Sequence, residues 1–138
     1  MFGKRFLLLT HTGRRTGLLH QTVLEVMEYR PKSSEAVVMS GFGRNSGWLR
    51  NIEAKPYPEV TIGARHFVAV YRLLNEDEAM RVVRSYEQRN WFIKPVVRWV
   101  LGRLLGWKYR GSDLDLRRLV EQLPLVAFRP QSEIEKQP

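Results

Sequence analysis

The chain has 138 residues, 43% of them hydrophobic and 27% charged, a composition that fits one globular domain and excludes both a disordered chain and a pair of ordinary domains. It contains no cysteine, which excludes disulfides, thiolate nucleophiles and cysteine-ligated metals and makes a reducing cytoplasm the expected compartment. The formal net charge of +9, from 23 Lys plus Arg against 14 Asp plus Glu, calls for an acidic partner: a nucleic acid, an anionic membrane or a polyanionic small molecule.

In chain order, residues 5–10 form an apolar run typical of a buried strand, too short for the core of a secretory signal. Thr12-Gly13-Arg14-Arg15-Thr16-Gly17 follows. Its glycines permit a tight turn, while its arginines and threonines supply positive charge and hydroxyl donors, the equipment of an anion site. Residues 20–30 alternate apolar and polar side chains and predict the second strand of a hairpin. A turn over Pro31-Lys32-Ser33-Ser34 leads to a third strand, Ala36–Met39, which ends at the glycine-rich loop from Ser40 to Gly47. A short helix is expected over Trp48–Ala54, then a hairpin of Glu59–Ile62 and His66–Leu73 turning at Gly63-Ala64-Arg65.

The second half reads as helical. Asn75 is the expected N-cap of a helix with Glu76, Asp77 and Glu78 in its first turn, Glu78 standing where a capping-box acid belongs. Its inward face is expected to be Ala79, Met80, Val82, Val83 and Tyr86. Pro95 opens another helix with Val96, Val97, Val100, Leu101, Leu104 and Leu105 as its apolar positions. A third helix is predicted over 113–122, a last strand over Leu125–Phe128, and a polar, fraying tail over 129–138. About six antiparallel strands with helices inserted late give an α+β fold, a small barrel with a helical flank, in one domain spanning 1–138.

The ordered set Leu8 to Gly17, then Ser40 with its glycine loop, then Trp48-Leu49-Arg50-Asn51-Ile52-Glu53-Ala54-Lys55-Pro56, then Pro58 to Ile62, resembles the deazaflavin-dependent nitroreductase family, and the likeness runs from about Phe6 to Arg129. The resemblance implies a split β-barrel of the FMN-binding type and a hydride-transfer enzyme using coenzyme F420, with FMN as the alternative cofactor. The phosphate and polyglutamate tail of F420 would answer the positive charge. The resemblance assigns Arg14, Arg15 and Thr16 to the phosphate, His20, Gln21, Thr22, Val23, Leu24 and Glu25 to the length of the deazaflavin, and Val38, Met39, Ser40 and Gly41 to backbone and hydroxyl contacts. Gly47, Trp48, Leu49, Arg50 and Asn51 would complete the pocket from a helix start, where free N–H groups favour oxygen ligands. Ser40 is the candidate for a catalytic hydrogen bond to developing charge.

Three positions depart from the family pattern. His20 stands where a basic residue is usual, Gly41 where a lysine commonly follows the serine, and Leu49 where a second aromatic follows the tryptophan. The first two departures leave Arg14 and Arg15 with more of the phosphate, with Arg44 as the nearest compensating charge. The acceptor implied is a small organic molecule: a quinone, an enone or a nitro compound. The alternative function is a split-barrel binder of a lipid or flavin-like ligand without turnover.

The remaining signals favour structural readings. His11, His20 and His66 show no metal-ligand spacing, so no metal site is expected. Between Gln88 and Ser112 there is no acidic residue, while Arg89, Lys94, Arg98, Arg103, Lys108 and Arg110 are interleaved with Trp91, Phe92, Trp99, Trp107 and Tyr109. A helix with its arginines in solvent is the first reading. A peripheral contact of 91–110 with the inner membrane face is the second, and nucleic acid, which is not expected, the third. Either a monomer or a homodimer fits.

Overall fold

A computed structural model describes residues 4–132 and 134. Among the described residues there are seven strands and four α-helices: β1 Phe6–Thr12, β2 Leu19–Glu25, β3 Glu28–Arg30, β4 Glu35–Met39, α1 Gly47–Ala54, β5 Glu59–Ile62, β6 Arg65–Leu73, α2 Glu76–Arg89, α3 Lys94–Leu105, α4 Asp113–Gln122 and β7 Leu125–Pro130. The strands pair in the order β2-β1-β5-β6-β7-β4-β3, all antiparallel. The first and last strands of this order are consecutive in the chain. Val26 N–H donates to Arg5 O and the next residue, Met27, donates to Val37 O, each at 2.8 Å, so two adjacent peptides tie opposite ends of the sheet and close the barrel. This is why seven strands are found where six were expected. The single run predicted over 20–30 divides at Val26-Met27 to serve both ends.

Period-two alternation explains the two cores. Leu7 and Leu9 of β1, Ala36 and Val38 of β4, Val60 and Ile62 of β5, and Val126 and Phe128 of β7 fill the barrel interior. Trp48, Leu49 and Ile52 of α1 plug that interior, each burial stabilising by roughly 1.5–3 kcal/mol. The opposite faces of β4 and β7, through Val37, Leu125 and Ala127, form a second core with Ala79, Val82 and Val83 of α2, Leu101 and Leu105 of α3, and Leu116 and Leu119 of α4. Both strands are therefore buried on both sides.

Local signals hold at most helix ends. The Asn75 side chain accepts from Glu78 N–H at 2.9 Å as the N-cap of α2, and Pro95 lies in the first turn of α3. The capping-box expectation for Glu78 is corrected. Its carboxylate instead receives Arg30 and Arg72 at 2.8 Å, the same two arginines that hold Glu35 at 2.8 and 3.0 Å. This network of two cations and two buried or half-buried carboxylates ties β3, β4, β6 and α2 together. Hydrogen bonds from Arg72, and then from Arg30, hold the Glu78 carboxyl at about 2. The last strand also outruns its prediction, since Arg129 and Pro130 pair with Val70 and Ala69 of β6. Residues 133 and 135–138 of the expected tail lie outside the described residues.

The helical flank differs most from its reading. On α3 only Leu101 and Leu105 are buried, while Val96, Val100 and Leu104 are exposed to solvent. On α2 the unexpected buried residue is Glu87, which accepts the Tyr109 hydroxyl at 2.5 Å and pairs with Arg98 at 3.2 Å.

Candidate functional site

The Thr-Gly-Arg-Arg-Thr-Gly turn joins β1 to β2. Gly13 N–H donates to Leu18 O at 2.7 Å, Gly17 N–H donates back to Gly13 O at 2.9 Å, and Thr16 Oγ1 accepts from Leu18 N–H at 3.2 Å. Gly17 takes φ +75, the left-handed region that favours glycine. At Gly13 a Cβ would lie 2.9 Å from Thr16 Oγ1 and 3.0 Å from His20 Nε2, so only a residue without a side chain lets Thr16 and His20 close this tightly over the turn.

The turn forms one wall of a cleft of about 400 Å³ lined by His11, Gly13, Arg14, Arg15, Thr16, His20, Gln21, Thr22, Gly47, Trp48 and Asn51. No lining residue is acidic. The opposite wall is the first turn of α1, which receives no side-chain cap hydrogen bond from Ser46. Asn51, 6% exposed, joins the walls: its Oδ1 accepts Arg14 N–H at 3.1 Å and the Arg14 guanidinium at 2.8 Å. Its Nδ2 lies 3.0 Å from His11 Nδ1, and His11 Nε2 lies 3.0 Å from Thr22 Oγ1. An amide nitrogen can only donate, so Nδ1 accepts and the proton of the neutral ring sits on Nε2. Burial, then the charge of His20 stacked at 5.7 Å, keep the His11 pKa below its ordinary value.

A neutral partner orients Arg14 and leaves its charge uncompensated. Arg15 is exposed, and its side chain makes no ion pair among the described residues. Two cations beside a helix start without a side-chain cap are groups that could hold a phosphate.

Of the residues assigned from sequence, Arg14, Arg15, Thr16, His20, Gln21, Thr22, Gly47, Trp48 and Asn51 meet in this cleft. Val38 and Leu49 are core residues, Val23 and Arg50 are exposed, Leu24 packs on the barrel core, and Arg44 does not line the cleft. Ser40 does not fit the role of substrate donor. It is fully buried, and its hydroxyl donates to Gly43 O at 2.6 Å to close its own loop.

Glu25, Met39 and Gly41 instead line a second, apolar cavity of about 330 Å³, with Met27 and with Val83, Tyr86 and Glu87 of α2 and Val96, Val97, Val100, Leu101 and Leu104 of α3. There the Tyr86 hydroxyl donates to Glu25 Oε1 at 2.8 Å. Burial, and then this carboxylate, push the Tyr86 pKa up to about 12. Sequence reasoning missed His11 and Tyr86 as site residues. The alternation Leu7, Leu9, His11 already placed His11 on the inward face of β1, but no local pattern joins Tyr86 to Glu25.

The barrel has the split β-barrel fold of FMN-binding proteins. The chain belongs to the F420H(2)-dependent quinone reductase family, whose defining pattern matches residues 1–92. It is accordingly an F420-dependent reductase, with coenzyme F420 as its cofactor. No curated protein matches the sequence. Among solved structures it is similar to an F420-H2 dependent reductase, FDR-A, at 15% identity and TM-score 0.54 over 91% of this chain and 94% of that one. It is also similar to a pyridoxamine 5'-phosphate oxidase-related, FMN-binding protein from Nostoc punctiforme PCC 73102, at 14% identity and TM-score 0.55 over 95% and 72% of the two chains. HutZ, the haem storage protein from Vibrio cholerae, aligns at 14% identity and TM-score 0.54 over 94% and 83%. At such identities the likeness is one of fold.

Proposed function

We propose that F420 lies along β2, with its phosphate in the Arg14–Thr16 cradle and its ring toward the apolar cavity, where a quinone is the acceptor. The single observation that carries this reading is that one strand serves both cavities. Gln21 and Thr22 line the cationic cleft and Glu25 lines the apolar one, a separation of four residues, or about 13 Å from Gln21 to Glu25 at strand rise. A cofactor whose phosphate and ring are joined by an extended polyol arm suits that layout.

Bound in its reduced form, the cofactor supplies a hydride. The chain supplies position and charge. Arg14, oriented by Asn51, and Arg15 hold the anionic end, while Met27, Met39, Val83 and Leu101 exclude water from the acceptor. Tyr86 stays protonated at neutral pH, and its single hydroxyl proton turns from Glu25 to the acceptor oxygen as negative charge builds there, the proton that completes the reduction arriving from solvent. We place this activity in the cytoplasm, with any membrane contact carried by α3.

The test is fluorescence titration of F420 into the purified protein, followed by F420H2 oxidation with quinones, enones and nitro compounds in turn. Tight binding with fastest turnover on quinones is expected. No binding at micromolar F420, or binding without turnover of any acceptor, would overturn the reading.

A further inference from the structure

We infer that α3 and the turn before it are a docking surface for a bilayer containing anionic phospholipid. The helix carries two apolar stripes. Val97, Leu101 and Leu105 face the second core, while Val96, Val100 and Leu104, repeating every four residues, face outward. Trp91 is 71% exposed, Phe92 66% and Trp99 65%. Phe42, at 82%, extends the surface from the barrel side, since a Cβ on its neighbour Gly41 would lie 3.7 Å from Leu104 Cδ1. Solvent-facing aromatic and aliphatic side chains arranged in this way match the polar–apolar boundary of a membrane.

The charges select the lipid. Lys94, Arg103, Lys108 and Arg110 have no acidic partner through their side chains among the described residues, and no acidic residue occurs from Gln88 to Ser112. Arg103, Lys108 and Arg110 line an open hollow of about 610 Å³ together with Trp99 and Trp107, and Arg103 lies over the Trp99 ring at 5.6 Å. Unpaired cations around exposed indoles fit phosphate headgroups above an apolar layer. A second copy of the chain fits less well, because each copy would bring the same cationic surface at a net charge of +9. Nucleic acid leaves Val96, Val100 and Leu104 without a partner. Contact is peripheral: among the described residues no helix is long and apolar enough to cross a membrane.

Val96, Val100 and Leu104 also line the apolar cavity, so a docked protein would open that cavity toward the bilayer and take its acceptor from the lipid phase. This consequence rests on the reductase reading; the docking itself does not. The family match ends at residue 92, so α3 lies beyond it.

The experiment is sedimentation of the full chain with vesicles of equal parts phosphatidylcholine and phosphatidylglycerol, against phosphatidylcholine alone, at low and molar salt. Binding to the anionic vesicles only, with a blue shift of tryptophan emission and release by salt, is expected. Trp91→Ser with Phe92→Ser and Trp99→Ser, and separately Arg103→Glu with Lys108→Glu, should each weaken binding about tenfold or more. Both variants should keep the wild-type melting profile and F420 quenching. Wild-type protein left in the supernatant, equal binding to both vesicles, variants that bind like wild type, or a salt-insensitive dimer that Trp99→Ser dissolves would each overturn the proposal. If the wild-type protein binds vesicles and not F420, the docking stands and the reductase reading falls.

Discussion

Asn51 accepts both the backbone N–H and the guanidinium of Arg14, at 3.1 and 2.8 Å, and so fixes the arginine turn of β1–β2 to α1 with a neutral partner. A carboxylate there would hold the guanidinium more tightly and cancel its charge. The uncharged amide gives position without neutralisation. Asn51→Asp is therefore expected to weaken F420 binding more than Asn51→Ala does, the latter by about tenfold for the two lost hydrogen bonds that orient Arg14. Fluorescence titration ranks the two, and equal or reversed losses would contradict the role given to the amide.

Replacing Arg14 and Arg15 together with alanine should abolish measurable F420 binding, since hydrogen bonds to a charged group contribute roughly 1.5–3 kcal/mol each. The fold should survive, because Arg15 is exposed and Arg14 half-buried. A circular-dichroism melt shows the second point, and retained micromolar affinity would refute the first.

His11 gives the cleft a pH dependence. Its folded pKa lies below the ordinary 6.5, so the folded protein binds fewer protons than the unfolded chain in that window, and stability falls as pH drops through 6.5 toward the folded value. Protonated Nδ1 would face the Asn51 amide donor, which must then turn its oxygen away from Arg14. F420 affinity is expected to be flat above 6.5 and to fall below it. An NMR titration placing the His11 midpoint at or above 6.5 would sink this account.

Tyr86 and Glu25 form a testable pair. Burial and the carboxylate hold the phenol at about 12, so Glu25→Gln should move its ultraviolet titration down toward the ordinary 10.0. Tyr86→Phe should lower quinone turnover about tenfold while leaving F420 affinity unchanged. A variant with wild-type kcat would remove Tyr86 from the reaction.

Acid stability should depend on Glu78. Its folded pKa of about 2 against an ordinary 4.5 contributes stability that is complete above 4.5 and lost as pH falls from there toward 2. Glu78 is only 14% exposed, so roughly 2 kcal/mol is at stake at neutral pH. Glu78→Gln should lower the neutral-pH melting temperature by roughly 6–10 °C and flatten its decline in acid. An unchanged decline would place the acid sensitivity elsewhere.

The sequence by itself determined what depends on a few neighbouring residues. Glycines at 13 and 17 dictate the arginine turn, Asn75 and Pro95 mark helix starts, and period-two runs locate the strands that fill the barrel. Most of the cationic cleft was legible for the same reason, since Arg14 to Thr16 and His20 to Thr22 are the turn and the second arm of one hairpin. Only the tertiary structure decided where the chain crosses from one sheet end to the other at Val26-Met27, that Ser40 turns its hydroxyl inward, and that Glu25 meets Tyr86, 61 positions away. It also decided that α3 shows an apolar stripe to solvent. Periodicity marks which side chains share a helix face, but whether a face is covered depends on the neighbours that closure of the barrel leaves to pack on it, and here one face of α3 received none.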